Sequence, residues 1–217
     1  MKVFIIFLAF FLLKSPSFAQ KSQNIYDFSQ KNNNSFKINE KLYYKFSYGK
    51  SNKKGFLTGG YGSLAVTNIV QKDNLVAYKI EGKGRTTKIF SLFYKVEDYF
   101  VSYIDTSSLL SLEFKRFIKE GKYEANQSAY FNRDSNTVRV KNELTAITKH
   151  TQDVLSALYA CRTIPNEKIN INDTIFLQIY NLEKNKIFDT YFVPIKKEKL
   201  KTKCFGEINT IKCQPHV

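Results

Sequence analysis

The chain has 217 residues, 43% hydrophobic and 24% charged, with 14 Tyr, 19 Phe and a formal charge of +15. That aromatic content excludes a disordered polar chain, and 9 Gly, 4 Pro and 3 Cys exclude collagen-like and disulfide-dense scaffolds. What remains is a β-rich globular domain whose composition names no chemistry.

The N-terminus carries an address. Lys2 precedes an unbroken apolar run from Val3 to Leu13, and Ser17-Phe18-Ala19 places small residues before Gln20. Charged start, apolar middle and small residues at the cut are the layout of a secretory signal. The run is too short to span a bilayer, which needs roughly 20 apolar residues. Residues 1–19 are therefore expected to be removed, with no lipid-anchored cysteine after the cut. The mature chain is expected to be soluble in the periplasm or outside the cell. Residues 20–39 are polar and include Asn32 to Asn34. They read as a flexible leader with little to bury. A single β-rich domain is expected over 40–217.

Apolar and polar residues alternate through most of that domain, the period of strands with one wet face. Leu42, Tyr44, Phe46 and Tyr48 share one face. Val76, Tyr78 and Ile80 repeat the pattern, then Leu112 and Phe114, then Val138 and Val140, then Ile175, Leu177 and Ile179. Turn residues separate the runs at Lys72-Asp73-Asn74, Asn132 to Asn136 and Glu183-Lys184-Asn185. About ten strands in a continuous antiparallel meander follow from this spacing. A sheet that long is expected to curl into a half-barrel, with Gly59, Gly60 and Gly62 allowing a bend or bulge. Thr151 to Thr163 breaks the rhythm, with Val154, Leu155, Leu158 and Cys161 at helical spacing and Thr151 or Asp153 to cap the start. One helix packed across the curved sheet completes the predicted fold. The Lys196–Lys203 run reads as a solvated edge strand, where lysines oppose strand-to-strand aggregation.

The chemistry is sparse. The two histidines, His150 and His216, have no paired short spacing to other ligands, so no metal site is expected. Ser156 lies near His150 and Asp153 without the elbow that activates a nucleophile. Gly82-Lys83-Gly84 lacks the following helix of a phosphate loop. Asp98 and Asp105 are an odd number of residues apart, which places them on opposite faces of a straight strand. No catalytic residue and no cofactor is expected, and a hydrolase is a distant third reading behind two non-enzymatic ones. Cys204 and Cys213 could bridge neighbouring strands, leaving Cys161 in the helix; the alternative is three unpaired cysteines. The charge attracts anionic partners. Yet only five of the 34 basic residues are Arg (Arg85, Arg116, Arg133, Arg139, Arg162), whereas nucleic-acid surfaces favour Arg. Nucleic acid is not expected as a partner.

Short segments in a fixed order carry a resemblance. They are Glu40-Lys41-Leu42-Tyr43-Tyr44, Ser91 to Asp98 with Ser102 to Asp105, Phe114-Lys115-Arg116, and Gln152 to Tyr159 with Arg162. Together they resemble the domain of unknown function 3108 family over about Glu40 to Pro215. The resemblance implies an exported bacterial envelope protein with no established activity. That family usually continues past the position of Pro215, so a short sheet or a truncated chain is expected here. It also tends to have a cysteine near Thr210, three residues before Cys213.

Two functions follow from these readings. One is a non-enzymatic interaction or structural module of the envelope, whose partner would be lipid, glycan or protein. The other is a carrier for an apolar or lipid-like ligand in the concave face of the sheet. Asp153, Ser156, Tyr159 and Arg162 in the helix segment are the candidate ligand-binding residues. Their competing structural roles are a cap for Asp153, packing for Tyr159 and a reach to a carbonyl or carboxylate for Arg162.

Overall fold

A computed structural model describes residues 33–48, 57–72, 74–202 and 205–216. The signal expected over 1–19 and most of the leader lie outside the described residues. From the leader, residues 33–39 are described, and Phe36 is buried in the main core.

Eight strands form an antiparallel meander in simple sequence order: β1 (Lys41–Tyr48), β2 (Leu57–Lys72), β3 (Leu75–Thr86), β4 (Glu97–Asp105), β5 (Ser111–Glu120), β6 (Tyr123–Asn132), β7 (Thr137–Val140) and β8 (Glu143–Ala146). A short helix α1 (Lys88–Ser91) connects β3 to β4, and helix α2 (Val154–Arg162) follows β8. The chain then builds a second antiparallel sheet from β9 (Ile175–Asn181), β10 (Lys186–Thr202) and β11 (Gly206–His216), in the order β11-β10-β9.

The meander and its alternation match expectation, but the single strongly curved sheet does not. Among the described residues there are two sheets, and neither is closed or strongly curled. Local pattern reveals strands without revealing which sheet they join, and the segment around α2 is where the chain leaves one sheet for the other. Twist is relieved locally instead. Phe46 pairs with Gly60 and Ser47 with Thr58, so Gly59 is the extra residue of a bulge in β2. Thr67, Leu112 and Ile195 are extra in the same sense within their ladders. Asn74, Asn136 and Asn185 hold the expected turns at φ 65°, 50° and 51°, a conformation that asparagine tolerates.

The inner face of the large sheet carries Leu64, Val66, Ile80, Ile104, Phe114, Ala129, Phe131 and Val138. Leu155 and Tyr159 of α2 and Tyr180 of β9 pack onto it, so the helix lies between the two sheets. Gly82 permits the approach: a Cβ there would lie 3.3 Å from Leu155 Cδ2 and 3.4 Å from Leu64 Cδ2. A smaller cluster of Ala160, Ile164 and Ile175, with Leu177 and Phe192, joins the other side of α2 to the small sheet. Beyond Phe192 the long β10 pairs with β11 alone. Lys196, Lys197, Lys199 and Lys201 thus lie on a two-stranded arm, although β10 is the central strand of its sheet.

Candidate functional site

The helix candidates fall into two groups, one at the start of α2 and one at its end, and of the four only Arg162 reaches the surface. Asp153 is the N-cap of α2 and is fully buried. Leu155 N–H and Ser156 N–H donate to its Oδ1 at 2.7 and 2.9 Å. Asp153 N–H donates in return to Ser156 Oγ at 2.9 Å, completing a capping box. The other carboxylate oxygen accepts from Ser102 Oγ of β4 at 2.6 Å and Ser111 Oγ of β5 at 2.5 Å. Four donors therefore meet one carboxyl in the middle of an apolar face. Burial pushes the Asp153 carboxyl above its ordinary range, and the donors from Ser102, Ser111, Ser156 and Leu155 oppose that rise.

Arg133 closes this cluster from the β6–β7 turn. Its Nε donates to Ser111 O at 2.9 Å, its Nη1 to Thr151 O at 3.0 Å and its Nη2 also to Ser111 O. Burial lowers the Arg133 guanidinium to about 10, countered by the charges of Asp153 and Asp105. Gln152 forms a parallel bridge to Ile179 of β9, and its Nε2 donates to Leu109 O at 3.1 Å. Leu109 holds φ 58°, a left-handed conformation uncommon for leucine, in a turn braced by Asp105 with Ser107 and Ser108. The cluster joins both sheets to the helix. Ser102, Ser111, Asp153 and Ser156 are each 0% exposed, so no substrate reaches them in this conformation.

Tyr159 packs edge-on against Phe36 at 4.9 Å between ring centroids. Arg162 lies over the Tyr159 ring at 5.0 Å and makes a two-pronged ion pair with Glu40, at 2.5 and 2.8 Å. Its Nη2 also donates to Ser35 O at 3.2 Å. This pair fastens residues 33–40 to the helix end. The structure thus brings Asp153 and Ser156 together, and separately Tyr159 and Arg162.

The remaining sequence candidates are dispersed. Asp98 and Asp105 occupy the two ends of β4. Among the described residues no group of three His, Cys, Asp or Glu side chains could hold a metal ion. Cys161 and Cys213 are free thiols, in line with the alternative of unpaired cysteines for these two; Cys204 lies outside the described residues. Cys213 is exposed on β11, whereas burial pushes the Cys161 thiol up to about 12.

Sequence reasoning missed a second surface, the end of the large sheet at α1. Ile89, Leu92 and Phe93 are 63%, 83% and 85% exposed, and Tyr94 is exposed beside them. Thr87 caps α1 with its hydroxyl, which accepts from Phe90 N–H at 3.4 Å, and Thr87 N–H donates to Gly59 O at 2.9 Å. Gly121 N–H donates to Lys95 O at 2.8 Å, and Gly121 holds φ 61° against the Tyr94 ring, where a Cβ would come within 3.0 Å. The apolar side chains therefore project from a backbone tied to β2 and to the β5–β6 turn. The signal was present in Ile89-Phe90-Ser91-Leu92-Phe93-Tyr94, an apolar run without strand alternation.

The architecture defines a two-sheet antiparallel β protein with a capped helix between the sheets and a buried polar cluster at the helix start. Residues 42–217 match a family described as protein of unknown function (DUF3108), and the chain belongs to that family. No curated protein and no solved structure matched the chain.

Proposed function

We propose that the chain is an exported, non-enzymatic envelope protein that acts by contact, through the α1 end of its large sheet. One observation carries this reading. The inner face is filled by Tyr159, Tyr180, Leu155 and Phe36, while Ile89, Leu92 and Phe93 stand exposed together on a hydrogen-bonded backbone. Large apolar side chains clustered at a surface favour a partner that removes them from water.

The carrier alternative drew on a concave apolar face beneath a curled sheet. The open strand order and the occupied inner face support the contact reading instead. A depression of about 250 Å³ beside β1–β3 carries Ala65 and Val66 among the charged Glu40, Lys41, Glu81 and Lys83, and is smaller than a typical pocket for an apolar ligand.

A photo-crosslinking amino acid at Phe93, introduced in cells that export the protein, tests the proposal. A discrete adduct at Phe93 and none at Leu144, another exposed apolar site on β8 at the far edge of the sheet, is the expected result. Absence of an adduct at Phe93, or equal yields at both positions, rejects the α1 end as the contact surface.

A further inference from the structure

We propose that the α1 end inserts into the interface of an anionic lipid bilayer, with Leu92 and Phe93 as the inserted groups. This rests on the contact reading above and names its partner.

Three features of this end suit a bilayer. The most exposed apolar groups, Leu92 and Phe93, are adjacent, and Ile89 one turn earlier is 63% exposed. Such a compact apolar point can enter the boundary between headgroups and acyl chains without a complementary pocket. Beside it is Tyr94, 48% exposed, an amphipathic ring of the kind that favours the headgroup level. Finally, lysines frame the point in sequence and in space. Lys88 and Lys95 bracket the apolar run, and Lys119 and Lys122 lie at the β5–β6 turn that bonds to Lys95. Lys95 and Lys119 pair with Glu97 and Glu124 at 2.8 and 3.0 Å, whereas Lys88 and Lys122 have no ion pair among the described residues. Long lysine stems can lie along the apolar surface while their ammonium groups meet lipid phosphates.

The backbone adds preorganisation. Ser91 Oγ donates to Thr87 O at 2.7 Å, Tyr94 N–H to Phe90 O at 2.9 Å and Val96 N–H to Thr86 Oγ1 at 3.0 Å. Little conformational freedom remains to be lost on insertion. Glu97, Asp98 and Glu120 lie among these lysines, so apolar transfer dominates, and electrostatic attraction through Lys88 and Lys122 contributes a smaller part.

The chain contains no tryptophan, so a single introduced one reports on its own surroundings. The mature protein carrying Phe93→Trp is mixed with vesicles of phosphatidylethanolamine and phosphatidylglycerol, or of phosphatidylcholine alone. The expected result is a blue-shifted emission with the anionic vesicles, quenched by brominated acyl chains, and several-fold weaker binding to phosphatidylcholine. Adding Leu92→Ser to the reporter is expected to lower partitioning roughly tenfold, as loss of a buried leucine contact implies. A Leu144→Trp reporter is expected to show no shift. Unshifted Phe93→Trp emission with both vesicle types, or equal shifts from both reporters, overturns the bilayer as partner. If Phe93 nonetheless crosslinks to a protein in cells, the contact reading stands and only the lipid assignment falls.

Discussion

Helices α1 and α2 begin in the same way and end in opposite surroundings. Thr87 and Asp153 are both extended N-caps whose side-chain oxygens accept backbone N–H groups of the first turn. At Asp153, the fold buries a carboxyl and the hydroxyls of Ser102, Ser111 and Ser156 within an apolar core. After Thr87, it holds leucine and phenylalanine out in water. Each start reverses the usual sorting of polar and apolar groups, and the reversals have different consequences. A buried polar cluster is stable only when its hydrogen bonds are made, so it ties the fold together. An exposed apolar point contributes almost nothing to folding, so it is free to serve contact.

The largest expected effect comes from breaking the buried start. Asp153→Ala removes the cap and leaves the Ser102 and Ser111 hydroxyls and two N–H groups without their acceptor. A loss of about 3–5 kcal/mol is expected, read from urea unfolding midpoints. Adding Ser102→Ala and Ser111→Ala to Asp153→Ala should cost less than the separate effects summed, since the orphaned hydroxyls are then gone. Strict additivity would show that the three residues do not act as one cluster.

Next in size is the contact that lets α2 lie on the sheet. Gly82→Val places branched carbon against Leu155 and Leu64, where even a Cβ is already at close contact. The helix must lift or the side chains must shift, with an expected cost of about 1–3 kcal/mol. The same substitution at Gly84, where a Cβ meets nothing within 4 Å, serves as the control. Equal destabilisation at both positions would mean that strand propensity, and not the helix contact, sets the cost.

How much of this contrast was legible in the sequence differs between its two halves. Alternation revealed the strands, and Asp153 followed by an apolar helical period revealed the start of α2. The Asp153 cluster was hidden because its partners are 51 and 42 residues away in sequence, and no local period encodes them. A faint clue existed: Ser102 interrupts the inner-face row of Phe100 and Ile104, where a small polar residue has no packing reason to be. The division into two sheets was equally hidden, because β9 alternates like the strands of the meander. For α1 the residues themselves were plain, but exposure belongs to the tertiary structure. The same apolar run would read as core in a chain that folded back over it.

Acidity offers a subtler way to separate the two regions. Asp98 lies near the exposed end, and burial pushes its carboxyl up to about 7 from an ordinary 3.8, with the neighbouring Glu120 carboxyl adding to the rise. The Lys119 N–H, donating to Asp98 Oδ1 at 3.2 Å, opposes it. The folded state therefore keeps a proton that the unfolded chain releases near pH 4. Asp98 favours folding below that pH, and its contribution is lost as pH rises towards 7, with no further change above. Solvent near this half-buried group screens part of the effect. Asp98→Asn is expected to flatten that portion of the stability profile between pH 4 and 7. A profile unchanged by the substitution would place the proton elsewhere, with the buried Asp153 as the nearest alternative of the same sign.

The smallest expected effect is the most discriminating. Leu92→Ser with Phe93→Ser changes two side chains that are 83% and 85% exposed, so little apolar burial is lost on folding. Phe90, half-buried, remains to anchor α1, and the bonds through Thr87 and Gly121 involve neither altered side chain. Stability should stay within about 0.5 kcal/mol of the parent, as for ordinary surface substitutions. Thermal unfolding measured beside vesicle partitioning then separates the roles of the two helix starts. Asp153→Ala should lose stability, and with it every dependent property, whereas the double serine variant should lose partitioning alone. Destabilisation of the serine variant by 2 kcal/mol or more would mean that Leu92 and Phe93 pack against the protein in solution, and the exposed point would be part of the core after all.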